Sequence, residues 1–144
     1  MVVLAQKIVS KSEGRIVPLT SVTPSPRAME LGEKVLKDAR LVELILRESV
    51  EVLRAVPNVL IVQHRLGFVM ANAGIDHSNV EGDEDQVLLL PADPDASARK
   101  LRERFKEIAG VDVGVIINDS WGRAWRMGTT GAAIGGAGLA APGR

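Results

Sequence analysis

The apolar positions of this chain fall into short runs separated by polar stretches, and their spacing changes several times along its length. Val2 to Val9 is rich in Val, Ile and Leu with Gln6-Lys7 interrupting, the pattern of a buried strand that delivers polar residues to its end. After Gly14, Arg15-Ile16-Val17-Pro18-Leu19 reads as a short extended piece. Thr23-Pro24-Ser25-Pro26 supplies hydroxyl caps and two restricted prolines, so Ala28, Leu31, Val35 and Leu36 predict a helix with Pro26 in its first turn. Leu41, Leu44, Ile45, Val52 and Leu53 recur at helical spacing until Pro57 and predict a second helix. The runs Asn58 to Val62 and Gly67 to Met70, joined by Gln63-His64-Arg65, predict a hairpin.

From Ala71 to Gln86 periodicity disappears, which predicts a long loop of the kind that usually carries function or disorder. Val87 to Leu90 reads as a short strand. Pro91-Ala92-Asp93-Pro94 breaks it before a helix from about Asp95 to Ala109, with Leu101, Phe105 and Ile108 inward and Arg99, Lys100, Arg102, Glu103 and Arg104 outward. Val111 to Ile117 predicts a fully buried strand ending at Asn118-Asp119-Ser120. Five of the last fourteen residues are glycine, and this Gly-Ala tail from Gly131 to Arg144 is expected to be mobile unless something covers it. Strands and helices that do not alternate regularly predict an α+β fold, a mixed sheet with packed helices, in one domain over residues 1–144.

Composition narrows the function classes. Eighteen basic residues balance eighteen acidic ones, so no overall field draws the chain to nucleic acid or to an acidic membrane, and any anionic ligand must be held locally. There is no cysteine, which excludes disulfides, thiolate nucleophiles and thiolate metal sites and favours oxygen ligands and hard cations. Two Phe, two Trp and no Tyr make the core aliphatic and leave few platforms for base stacking. No apolar run reaches the roughly 18 residues of a membrane span, and Met1-Val2-Val3-Leu4 has no signal-peptide character, so the default expectation is a cytoplasmic protein.

Four segments carry candidate chemistry. Asn72-Ala73-Gly74-Ile75-Asp76-His77-Ser78-Asn79-Val80 can coordinate a metal through Asp76 and bind an anion through its amides, or it can be an Asx-turn. Asp119 at the end of a Val-Ile-Ile strand suits the mouth of a site with Ser120 as a second oxygen ligand, or it can cap a turn. In Trp121-Gly122-Arg123-Ala124-Trp125-Arg126 the two arginines can grip phosphate or carboxylate bidentately, or stack on tryptophan. Lys7 and Lys11 flank Val9-Ser10 where the first strand breaks, positions fit for a phosphate or for a plain surface, with no Walker-type glycine spacing. His64 and His77 have no metal-ligand spacing.

In order along the chain, Lys7-Ile8-Val9-Ser10-Lys11-Ser12-Glu13-Gly14-Arg15, Gly67-Phe68 with Ala71 through Val80, Leu89-Leu90-Pro91 with Asp93 through Ala98, and Asn118-Asp119-Ser120-Trp121-Gly122-Arg123 with Trp125-Arg126 resemble the motifs of the coenzyme F420:L-glutamate ligase family. The resemblance covers nearly the whole chain. It implies the γ-glutamyl ligase fold and GTP-dependent amide synthesis, in which GTP activates a carboxylate of the deazaflavin precursor as an acyl phosphate and the amine of L-glutamate displaces phosphate. It also implies that Asp76 and Asp119 ligate one divalent metal, magnesium or manganese, that Ser120 serves a second, and that Gln6, Lys7, Lys11 and Asn79 contact the nucleotide. Potassium and an intertwined homodimer belong to the same expectation.

Departures are Ser120 where the family commonly has Thr, and Ala124, Thr129 and Gly131 where it has Pro, Gln and Asp. The family has an N-terminal nucleotide-contacting segment and a C-terminal half that this chain does not contain, so the chain reads as a truncated central part. By itself it is expected to bind metal and GTP weakly and to add little or no glutamate. Two alternatives remain open: a catalytically silent nucleotide- or metal-binding module, and a relative acting on another carboxylate acceptor.

Overall fold

The computed structural model describes residues 1–77, 85–122 and 129–139. The chain divides into two compact units, one formed by residues 1–15 with 90–144 and the other by residues 16–89. Strands and helices mix in both, as the α+β expectation requires. Among the described residues no helix is long and apolar enough to cross a membrane.

In the first unit, strand β1 (Val2–Ala5) runs into helix α1 (Gln6–Ser12), and helix α4 (Pro94–Ala109) precedes strands β7 (Val115–Gly122) and β8 (Thr129–Ala137). The sheet order is β1-β7-β8. The β1–β7 pair is parallel and the β7–β8 pair antiparallel, a mixed sheet. The single strand expected over Val2 to Val9 is therefore corrected, because the chain turns helical at Gln6. Gln and Lys are good helix formers, and Val9 and Ser10 are buried on one face while Ile8 is exposed. The first turn has no side-chain cap, so no sequence signal marks its start.

Helix α4 begins at a capping aspartate, Asp93, whose Oδ1 accepts the Ala96 N–H at 3.0 Å, with Pro94 in the first turn. Its buried residues are Pro94, Ser97 and Ala98 rather than the expected far end, since Ile108 is exposed. Arg102, expected to face out, is half-buried and donates to the Val113 carbonyl at 3.2 Å while pairing with Asp112 at 2.6 Å. The expectation for the Gly-Ala tail is corrected over Gly131 to Ala137, which belong to a strand, Thr129–Ala137, in register with β7; residues 140–144 lie outside the described residues. Small residues there let β8 lie directly under α4: a Cβ on Gly135 would meet the Pro94 carbonyl carbon at 2.5 Å. The Gly136 N–H donates to Asp95 Oδ1 at 2.9 Å, tying strand to helix.

In the second unit, β2 (Ile16–Pro18) pairs antiparallel with β6 (Gln86–Leu88). Helices α2 (Pro26–Val35) and α3 (Ala39–Arg47) pack beside an antiparallel sheet of β3 (Ser49–Val56), β4 (Val59–His64) and β5 (Val69–Ala71). The expected hairpin is present as β4 and β5. The expected second helix is too long, because Val52 and Leu53 lie in β3. Two register irregularities between β3 and β4 break the alternation that would have marked a strand. Leu36, read as part of the apolar stripe of α2, is instead its left-handed cap at φ 58° and is exposed. Ala28, Val35, Val42, Ile45, Leu60, Val62 and Ala73 form the fully buried core of this unit.

Two carboxylates bind this unit's helices. Glu43 on α3 accepts the Ser25 hydroxyl at 2.7 Å and the Ser25 N–H at 3.1 Å, which joins α3 to the N-cap of α2. Asp38 caps α3 through the Arg40 N–H at 2.9 Å and pairs with the Arg40 guanidinium at 2.8 Å. The Ser25 hydroxyl holds the Glu43 carboxyl below its ordinary 4.5. The Arg40 guanidinium does the same for Asp38 against 3.8. Both folded pKa values are depressed, so these groups contribute stability that is complete above the unfolded pKa and lost as pH falls through the folded one. Glu43→Gln is expected to lower the melting temperature at neutral pH and to have a progressively smaller effect as the pH falls below the ordinary carboxylate range and through the depressed folded pKa. Thermal melts across that range check it.

Candidate functional site

Register brings several predicted residues together inside the first unit. The last residue of β1, Ala5, pairs with Asn118 of β7, so Gln6 at the start of α1 follows at the level where Asp119 begins the polar half of β7. Paired strands lie about 4.8 Å apart, which sets the first turn of α1 beside Asp119. Lys7 and Lys11, one helical turn apart, share a face of α1, with Lys7 half-buried and Lys11 exposed. The spacing expected to flank a broken strand thus gives two cationic side chains on one helix surface. Gln6 is buried and its Nε2 donates to Ser10 Oγ at 2.7 Å, so its amide is already engaged by α1 itself.

Asp119 does not end its strand, contrary to expectation, because β7 continues to Gly122. What distinguishes the position is a bulge: pairing shifts between Ile117 and Asn118, with Ile134 the extra residue of β8. Before the shift Val115 and Ile117 are buried; after it Asn118 and Asp119 are half-buried and Ser120 exposed. A bulge re-aims side chains, and here it separates the apolar half of β7 from the polar half. Asp119 Oδ1 accepts the Ser120 N–H at 2.8 Å, which orients the carboxylate along the strand.

Asp76 belongs to the second unit. It is held by a two-bond bridge to the end of β6, Asp76 N–H to the Leu88 carbonyl at 3.0 Å and Leu88 N–H back to the Asp76 carbonyl at 2.9 Å. The preceding Asn72–Gly74 is a 3-10 turn closed by the Ile75 N–H on the Asn72 carbonyl at 3.0 Å. All three of its residues are left-handed, with φ of 53° at Asn72, 52° at Ala73 and 68° at Gly74. Left-handed backbone costs a non-glycine residue about 1–2 kcal/mol, least for Asn. Ala73 offsets its share by burying its methyl completely in the core. The Asn72 side-chain oxygen is buried and accepts no hydrogen bond from any described residue. The sequence offers Asn72 as one amide among several, and only the structure isolates it.

Asn79 lies outside the described residues, as do Arg123, Trp125 and Arg126. His64 is a core histidine, fully buried, with Nδ1 accepting the Leu66 N–H at 3.0 Å and Nε2 3.8 Å from Glu48 Oε2. Glu48 is in turn held by Arg65 at 2.8 Å.

Among the described residues no three His, Cys, Asp or Glu gather into a metal-binding group. The donors that the sequence offers, Asp76 in one unit and Asp119 with Ser120 in the other, are oxygen ligands, the type that hard cations such as magnesium and manganese select.

The model of the family described as F420-0:gamma-glutamyl ligase matches residues 1–143. The coenzyme F420:L-glutamate ligase of Methanopyrus kandleri is 48% identical over 136 residues, covering 94% of this chain and 53% of the relative. That of Archaeoglobus fulgidus is 48% identical over 141 residues, covering 98% and 55%, and that of Methanothermobacter thermautotrophicus 46% over 139 residues, covering 96% and 54%. The chain spans about half the length of the curated relatives it matches. With a family match along almost its whole length and identity well above 30%, this chain belongs to the F420-0:gamma-glutamyl ligase family.

Proposed function

We propose that this chain carries part of the cation- and phosphate-handling machinery of a GTP-dependent ligase that joins L-glutamate to a coenzyme F420 precursor. Family membership along residues 1–143 is the observation that carries the reading. The register that sets α1 beside Asp119 supports it, because phosphoryl chemistry asks a protein mainly for positioned positive charge and oxygen ligands.

In this reading the precursor carboxylate attacks the γ-phosphorus of GTP, the bond to the bridging oxygen breaks, and GDP leaves. The resulting acyl phosphate is attacked by the amine of L-glutamate; an amide forms and inorganic phosphate departs, while the amine gives up its proton. Asp76 and Asp119 would hold one divalent cation and Ser120 a second, which supply neutralisation of the crowded phosphate oxygens. Lys7 and Lys11 place two ammonium groups for the nucleotide phosphates, Gln6 sets the start of the helix that carries them, and Asn79 is assigned to the nucleotide. Potassium and a homodimer belong to the same proposal, as does a cytoplasmic location.

Lys11 offers the cleanest residue-level test. It is exposed at the end of α1, so Lys11→Met is expected to leave the melting temperature nearly unchanged while weakening magnesium-dependent GTP binding by roughly tenfold, the scale of one charge-assisted phosphate contact. Equal GTP affinity in the variant, by isothermal titration, removes Lys11 from the site.

A further inference from the structure

The buried oxygen of Asn72 is an acceptor without a described donor; the other buried polar side-chain atom of this unit without a hydrogen bond among the described residues, His64 Nε2, at least faces the Glu48 carboxylate at 3.8 Å. Burial in the core accounts for the left-handed Ala73 beside it, but nothing in the packing accounts for this amide. An amide oxygen that accepts from no described N–H suits a cation or a cation-bound water, and it is a hard ligand of the kind magnesium and manganese select. The turn that holds Asn72 is closed on Ile75, and the following residue is Asp76, pinned by its two bonds to Leu88. Amide oxygen and carboxylate are therefore carried by one short, rigidly closed segment of a single unit.

From this juxtaposition we infer that Asn72 is a further oxygen donor to the divalent cation assigned to Asp76, directly or through one bound water. The inference rests on the cation site proposed above. It adds a neutral ligand that does not raise the charge of the site and explains an otherwise uncompensated buried acceptor.

The test separates the side chain from the backbone. Asn72→Gly removes the amide while keeping a residue that adopts positive φ freely, and Asn72→Asp keeps a short oxygen-bearing side chain that also tolerates that backbone. Binding of Mn2+ alone to the 144-residue chain is followed by loss of the free-ion electron paramagnetic resonance signal, with thermal melts in parallel. The expected result is at least a tenfold weakening in Asn72→Gly with affinity kept or raised in Asn72→Asp, the scale on which removal of a supporting ligand changes metal affinity. Asn72→Gly binding Mn2+ like the parent, while Asp76→Asn loses it, overturns the inference and leaves the cation site standing. Asn72→Asp binding as poorly as Asn72→Gly also overturns it, assigning Asn72 to the turn alone. Should the parent chain fail to bind Mn2+, or Asp76→Asn bind it unchanged, the cation site falls and the role of Asn72 falls with it.

Discussion

Replacing Asp76 and Asp119 together by Asn is expected to abolish metal-dependent GTP binding, with a loss of at least about 100-fold, because even the loss of groups supporting a ligand costs 10–100-fold in metal affinity. The substitution keeps size and one acceptor oxygen in each side chain, while it removes the charge and turns the second oxygen into an NH2 donor. Asn at position 76 leaves the bridge to Leu88 intact, since both of its bonds use backbone atoms. Asn at position 119 can still accept the Ser120 N–H through its amide oxygen. The melting temperature without metal should therefore change little, and a variant that binds GTP and magnesium like the parent would take both carboxylates out of the site. The single variants should each lose less than the pair if both oxygens serve one cation.

The second large effect concerns the framework that carries Asp119. Gly135 lies so close to α4 that a Cβ would stand 2.5 Å from both the carbonyl carbon and the Cβ of Pro94. Proline at the first turn of a helix capped by Asp93 has little freedom to move away. Gly135→Ala is expected to destabilise the chain by about 1–3 kcal/mol, the range for overpacking. That corresponds to a drop in melting temperature of roughly 2–12 °C at about 2–4 °C per kcal/mol. Gly131→Ala is the control, because its Cβ would meet only the Asn118 side-chain amide, at 3.1 Å. It should shift the melt far less, and an equal shift in the two variants would show that α4 does not constrain β8.

These two glycines also show where sequence reading reaches its limit. Apolar periodicity measures side chains, and a strand whose use is to lie directly against a helix backbone has almost none to measure, so β8 was read as an uncovered tail. Helix α2 was legible because Ser25 and Pro26 are strong local signals, and α4 because Asp93-Pro94 and Gly110 mark both of its ends. Helix α1 was not, since Ala5-Gln6 carries no cap and Val-Ile residues suit a strand as well as a helix. In β3 the two irregularities of pairing left Val52 and Leu53 at a spacing that imitates a helix.

The candidate site divides in the same way. Asp76, Asp119 and Ser120 stand out in the sequence as oxygen ligands in a loop and at an expected strand end, and the motif resemblance adds which cation each would serve. Lys7 and Lys11 stand out because they lie where the first strand is expected to break, and the helix puts them on one face. Asp119 was taken for a strand end, whereas a bulge in mid-strand marks the change from buried apolar to polar positions. Asn72 could not be singled out from composition, because an amide in an Asn-Ala-Gly turn looks like turn chemistry until its oxygen is found buried without a donor.

In the proposed function this chain holds nucleotide phosphates through a divalent cation. Isothermal titration of GTP into the 144-residue chain, once with magnesium and once with a chelator, tests it most directly. The account predicts saturable binding with magnesium that disappears in the chelator and in the Asp76/Asp119 double variant. GTP binding of equal strength with and without the cation, or no binding under either condition, would contradict it.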